Sequence, residues 1–214
     1  MPDAKWIKTQ GIIAILRGDY SEHVLGLVDA LYSGGIRIVE VTLNSPNAIT
    51  MIETLNRHYK ELMWIGAGTV LTEENVESAA AAGAKFIVSP DTHLPVIRRS
   101  QELGLEAIPG AYTASEITAA VRAGATHIKL FPALPAGPGY LKQLLGPLSE
   151  VAFIPTGGIT EDNIAAFVHA GATAFGVGSA LVPKVFTGTQ SEVEQVKAKA
   201  SRICQRMHKA RGMA

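Results

Sequence analysis

The sequence is short of most things that would give it away. One cysteine, Cys204, stands among 214 residues. A lone thiol forms no intramolecular disulfide and no multi-cysteine metal centre, and a reduced, cytoplasmic setting is the default expectation. Charge of one sign is also missing. Nineteen basic residues balance nineteen acidic ones, so the chain lacks the basic field that a nucleic-acid partner needs. The one basic cluster is Arg202, Arg206, His208, Lys209 and Arg211, which reads as the solvated face of a terminal helix. No apolar run is longer than a strand, so no membrane span is expected. Residues 1–10 lack the apolar core of a signal peptide. Metal ligands are sparse. Asp91 and His93 form a possible pair, but no third ligand sits at matching spacing, and no metal is expected. His23, His58, His169 and His208 fall in helical patterns and read as surface. Trp6 and Trp64 read as core or contact residues, and Cys204 as inert packing.

What is present is rhythm. Hydrophobic residues make up 47% of the chain, enough for one sizeable core. Strand-like apolar runs fall at 12–16, 36–43, 63–67, 86–88, 105–108, 127–130, 152–155 and 174–177. Helix-period segments fill the gaps at 21–33, 46–58, 72–82, 94–103, 115–123, 139–145 and 161–170, and a last one runs over about 191–208. Alternation with short connections predicts a parallel sheet. Eight rounds in this length predict an α/β fold: a single-domain (β/α)8 TIM barrel of parallel strands spanning 1–214. Ser33-Gly34-Gly35, Ala82-Gly83-Ala84, Ala123-Gly124-Ala125 and Ala170-Gly171-Ala172 each close a helix before an even-numbered strand. They suggest a two-module unit used four times, with glycine taking the left-handed position after the helix. Thr72, Thr113 and Thr160 read as helix caps.

Against this apolar pattern, Thr126-His127-Ile128-Lys129-Leu130-Phe131-Pro132 places a lysine inside a strand. A charged, unpaired ammonium there costs several kcal/mol. Desolvation favours the neutral amine, which is a nucleophile toward carbonyls. Strand alternation puts His127, Lys129 and Phe131 on one face, Ile38, Glu40 and Thr42 on one face, Ile13, Ile15 and Arg17 on one face, and Ile65, Ala67 and Thr69 on one face. If the apolar faces meet the helices, Arg17, Glu40, Thr69 and Lys129 point inward near the C-terminal ends of their strands, where barrels build their sites. Plainer roles stand beside this: a loop carboxylate pairing with Arg17, a satisfied core hydroxyl at Thr69, or a structural Glu40–Lys129 ion pair. Pro155-Thr156-Gly157-Gly158-Ile159-Thr160 and Gly176-Val177-Gly178-Ser179-Ala180 then follow the seventh and eighth strands. Glycine turns at those two positions suit a phosphate.

Ala14-Ile15-Leu16-Arg17, Glu40-Val41-Thr42-Leu43, Gly66-Ala67-Gly68-Thr69-Val70, Val88-Ser89-Pro90, Pro109-Gly110, Lys129-Leu130-Phe131-Pro132, Pro155-Thr156-Gly157-Gly158 and Gly178-Ser179 occur in this order. Together they closely resemble the 2-keto-3-deoxy-6-phosphogluconate / 4-hydroxy-2-oxoglutarate aldolase family, which includes the 6-phosphogalactonate aldolases. The resemblance runs from about Ile12 to about Pro183. It implies a metal-independent class I aldolase without cofactor, cleaving a phosphorylated 2-keto acid to pyruvate, and a homotrimer. Lys129 would be the Schiff-base lysine and Glu40 the general acid/base. Arg17 and Thr69 would hold the keto-acid carboxylate, Pro90 and Phe131 would shape the pyruvyl pocket, and Gly157, Gly158, Gly178 and Ser179 would bind phosphate. The expected substrate is 2-keto-3-deoxy-6-phosphogluconate, with the galactonate epimer and 4-hydroxy-2-oxoglutarate as alternatives. After Val41-Thr42-Leu43, gluconate-type members commonly carry arginine, threonine and proline. Asn44-Ser45-Pro46 stands here and looks galactonate-like, whereas Pro155-Thr156-Gly157-Gly158 and Leu181-Val182-Pro183 look more gluconate-like. Outside the family, a phosphosugar isomerase or epimerase and a non-catalytic phospho-ligand barrel remain as other readings.

Overall fold

The structure, a computed structural model, describes residues 4–213. Residues 1–3, part of the N-terminal stretch read above, and residue 214 lie outside it. Nine parallel segments form the sheet: β1 (Ile12–Leu16), β2 (Ile38–Thr42), β3 (Trp64–Gly68), β4 (Phe86–Val88), β5 (Glu106–Ile108), β6 (Gly110–Ala111), β7 (His127–Leu130), β8 (Ala152–Pro155) and β9 (Phe175–Val177). Pairing runs β5-β4-β3-β2-β1-β9 and β6-β7-β8. Two local features join these arcs. Segments β5 and β6 are halves of the fifth barrel strand, separated at Pro109, which has no N–H to donate. The Pro109 carbonyl still accepts from Lys129 N at 2.9 Å, so the fifth strand stays paired with the sixth. At the other seam Thr156 bridges Gly176 in parallel. The eight-stranded barrel read from the sequence is thus present, with its fifth strand broken by a proline.

Helices α1 (Ala4–Gln10), α2 (Val24–Ser33), α3 (Ala48–Tyr59), α4 (Glu73–Ala81), α5 (Leu94–Glu102), α6 (Ala114–Arg122), α7 (Ala133–Leu145), α8 (Ile164–His169) and α9 (Gln190–Ala210) accompany the strands. Alternation sorts the apolar residues into two cores. The larger lies between strands and helices. The smaller fills the barrel, with Ile13, Ile38, Trp64, Phe86, Ile108 and Ile154 among its members. Helix α1, unforeseen in the sequence, inserts Ile7 into that inner core, and Trp6 meets the Trp64 ring edge-on at 6.1 Å. It stoppers the N-terminal end of the barrel.

Several local readings need correction. In β3 the inward face is Trp64, Gly66 and Gly68, whereas Ile65 and Ala67 belong to the outer core. The inner face is one residue out of phase with the apolar pattern, because two of its three positions are glycines that carry no side chain. Thr69 nonetheless reaches the barrel mouth, since its backbone turns left-handed (φ 55°) just past the strand. That conformation costs a residue with a Cβ about 1–2 kcal/mol. Helix α7 starts six residues earlier than its periodicity suggested, and Gly137 (φ 72°, ψ 166°) breaks it where Pro138 follows. Thr72 and Thr113 cap as expected, and Thr113 shares a capping box with Glu116. Thr160 does not cap: its N–H donates to Asn163 Oδ1 at 2.9 Å, and α8 begins only at Ile164. The left-handed expectation holds at Gly35, Gly83, Gly124 and Gly171, with φ between 86° and 102°.

The glycines of β3 make room for larger neighbours. A Cβ on Gly66 would lie 2.6 Å from the Phe86 ring, and one on Gly68 would lie 1.8 Å from Glu40 Oε1. Gly66→Ala therefore overfills the inner core. The expected loss is about 1–3 kcal/mol in chemical denaturation; unchanged stability would mean that the Phe86 ring has space to withdraw.

Candidate active site

Strand pairing holds the two charged side chains in separate arcs of the barrel wall. Ile15 pairs with Glu40, Glu40 with Gly66, Gly110 with Lys129, and Lys129 with Ile154. Glu40 and Lys129 are held in the wall, 2% and 4% exposed. Among the described residues neither takes part in an ion pair, which removes the structural-pair reading. Glu40 Oε1 is buried without a hydrogen-bond partner in the structure. Lys129 Nζ lies 4.9 Å from the centroid of the Phe131 ring. Burial lowers the Lys129 ammonium below its ordinary 10.5, and the Arg17 charge lowers it further, while Glu40 works in the opposite direction. Burial likewise raises the Glu40 carboxyl above 4.5, against the pull of Lys129 and Arg17. Desolvation is the larger effect at both groups, so each is pushed toward its neutral form.

A cavity of about 280 Å³ opens onto Lys129. Of the residues expected at the site, Arg17, Lys129 and Phe131 line it, together with Gly157, Gly158, Gly178 and Ser179. Glu40 is not among the lining residues. Thr69 is outside the lining, but its Oγ1 accepts a long bond of 3.5 Å from Arg17 Nη2, which holds the guanidinium toward β3. Pro90 is also outside the lining. It backs the fifth strand, where a Cβ on Gly110 would lie 2.3 Å from the Pro90 carbonyl oxygen. Gly157 and Gly158 both have left-handed φ, 91° and 82°, which turns the chain sharply after β8. Ser45 is buried: its Oγ accepts from Gly18 N at 3.1 Å and shares a 2.9 Å bond with Thr42 Oγ1, so it fixes the loop after β1. Asn44 is exposed.

The Asp91–His93 pair is not a centre. His93 Nδ1 contacts the Leu71 carbonyl at 3.2 Å, and no group of three metal-binding side chains occurs among the described residues. Two lining residues, Tyr20 and Lys184, carry no signal of a site in the sequence. Tyr20 Oη donates to the Pro183 carbonyl at 2.6 Å and ties the loop after β9 to the loop after β1. The available signal was position alone, since both loops leave the C-terminal ends of barrel strands; neither residue sits in a recognisable motif.

The fold and the barrel-mouth site are shared with a family of (β/α)8 carbon–carbon lyases. The family model described as KDPG and KHG aldolase matches residues 4–198, and the chain belongs to that family. It is 39% identical over 178 residues to the 2-dehydro-3-deoxy-6-phosphogalactonate aldolase of Escherichia coli (strain K12), covering 83% of this chain and 87% of that one. A solved structure of native KDPGal superposes with a TM-score of 0.88 at 37% identity, covering 94% of this chain and 96% of the other. A KDPG aldolase from Legionella pneumophila, with pyruvate captured as a covalent carbinolamine, is similar at 30% identity and TM-score 0.75, covering 94% and 93%. No helix among the described residues is long and apolar enough to cross a membrane.

The depressed Lys129 has a direct readout. Its amine is expected to titrate below 10.5, because burial disfavours the ammonium form. Competitive acylation across pH, with peptide mapping, should give a midpoint at Lys129 shifted downward. A midpoint at or above 10.5 would mean that Glu40 outweighs burial.

Proposed function

We propose that the chain is a class I aldolase that cleaves 2-keto-3-deoxy-6-phosphogluconate to pyruvate and glyceraldehyde 3-phosphate. One observation carries this reading: a buried lysine facing the cavity, outside any ion pair but near enough to feel the charge of a buried carboxylate whose Oε1 has no partner. Lys129 Nζ attacks the C2 carbonyl, and a proton given by the Glu40 carboxyl to the carbinolamine hydroxyl expels one water, leaving a protonated imine and a Glu40 carboxylate. The Glu40 carboxylate takes the C4 hydroxyl proton, directly or through a water, and the C3–C4 bond breaks. Its electron pair stays on C3 and is delocalised into the iminium as an enamine. Glyceraldehyde 3-phosphate leaves, C3 takes a proton back by way of Glu40, and hydrolysis with one water frees pyruvate and Lys129. A carboxyl raised by burial takes up and holds a proton more readily than an ordinary carboxylate, which suits a group that must both take and return one. The relative trapped as a carbinolamine with pyruvate supports covalent chemistry at the C2 carbonyl.

In this reading Arg17 and Thr69 hold the substrate carboxylate, and Phe131 and Pro90 shape the pyruvyl end. Gly157, Gly158, Gly178 and Ser179 receive the phosphate, whose binding energy helps orient C4. The whole chain, 1–214, acts as one catalytic domain, in a homotrimer, without metal or cofactor. A second reading keeps every step and changes the substrate to the C4 epimer, 2-keto-3-deoxy-6-phosphogalactonate. Asn44-Ser45-Pro46 and the 39% identity to a galactonate aldolase favour it.

A coupled lactate dehydrogenase assay in EDTA, run on both epimers and on 4-hydroxy-2-oxoglutarate, tests both readings. Pyruvate is expected from a phosphorylated epimer, and the larger kcat/KM assigns the configuration. Glu40→Gln should slow cleavage by roughly 10²–10⁴-fold. No pyruvate from any of the three, or full turnover by the variant, would overturn the mechanism.

A further inference from the structure

The cavity has three basic side chains and no carboxylate in its lining: Arg17, Lys129 and Lys184. Two are already committed. Lys129 stands in the wall, and the Arg17 guanidinium leans to the β3 side through Thr69. Lys184 lines the same cavity as the glycine turns that follow β8 and β9. Its side chain is exposed, and among the described residues it has no hydrogen bond or ion pair.

The segment that carries Lys184 is held on both sides. Before it, Pro183 O accepts from Tyr20 Oη at 2.6 Å. After it, Phe186 is buried and meets the His23 ring edge-on at 6.4 Å. A little further on, Thr187 and Thr189 both bond the Glu192 carboxylate at the start of α9. The backbone is therefore fixed at the cavity edge, and the ammonium is the part left free to move. Backbone N–H groups alone give an anion partial positive charge. A full charge on a flexible stem adds a contact that can follow a dianion and form charge-assisted hydrogen bonds.

We propose that Lys184 is a specificity-determining residue that contacts the terminal phosphate of the substrate and sets the preference for phosphorylated over unphosphorylated 2-keto-4-hydroxy acids. This rests on the aldolase reading above. The phosphate sits between the glycine turns and the Lys184 ammonium, at the far end of the substrate from the imine carbon. The contact is made in the ground state as well as during cleavage, so its removal falls mainly on KM rather than kcat.

The test measures kcat and KM for the preferred 6-phosphorylated epimer and for 4-hydroxy-2-oxoglutarate in wild type, Lys184→Gln and Lys184→Arg. Lys184→Gln should lower the ratio of the two kcat/KM values by about tenfold, the size of one lost hydrogen bond to a charged group. Most of that should be a rise in KM for the phosphorylated substrate, with a weaker salt dependence, and Lys184→Arg should recover most of it. An unchanged ratio, or equal losses on both substrates, would overturn the assignment. Trapping with pyruvate alone, which carries no phosphate, keeps the two levels apart. A trapped imine with an unchanged ratio refutes the role of Lys184 and leaves the aldolase reading intact. Absence of the imine in wild type refutes both.

Discussion

The structure turns on the desolvation of two ionisable side chains in one barrel wall. Glu40 and Lys129 are almost fully buried, yet no ion pair joins them. An ion pair would have settled both charges and left the pair inert. Held apart, each is driven toward its neutral form by the same loss of water, and each partly resists the shift of the other. A lysine that loses its proton readily and a carboxyl that keeps one longer are the two groups that imine-based carbon–carbon cleavage needs.

The surrounding sequence maintains that arrangement. Gly68 leaves the space that the Glu40 carboxylate fills, and Gly66 leaves space for Phe86 below it. Helix α1 closes the opposite end with Ile7 and Trp6, so the barrel opens at the mouth that bears the cavity. The fifth strand is interrupted at Pro109, but the Pro109 carbonyl still anchors the Lys129 backbone at 2.9 Å. At the mouth, Tyr20 joins the first and last loops and completes a rim on which Arg17 and Lys184 face the same cavity.

Much of this was readable in the sequence, for physical reasons that also explain the misses. Barrel strands are buried on both faces, so their apolar runs stand out, and a charge within one, as at Lys129 and Glu40, is conspicuous. The four glycines that end helices announce their left-handed turns. Phase was lost in β3, because Gly66 and Gly68 carry no side chain to mark the inner face, and Thr69 reaches the mouth through its own backbone turn rather than by alternation. Helix α1 is short and mixed in polarity, and its partner Trp64 lies far along the chain. Lys184 and Tyr20 are ordinary loop residues until the fold brings their loops together.

The central claim is that Lys129 is a nucleophile and not a structural cation. Incubating the protein with pyruvate and borohydride, then mapping peptides by mass, tests it most directly. The account predicts a reduced pyruvyl adduct on Lys129, as expected for an amine that forms an imine with a 2-keto acid. Pyruvate bound without an adduct, or an adduct on another lysine with Lys129 unmodified, would contradict it.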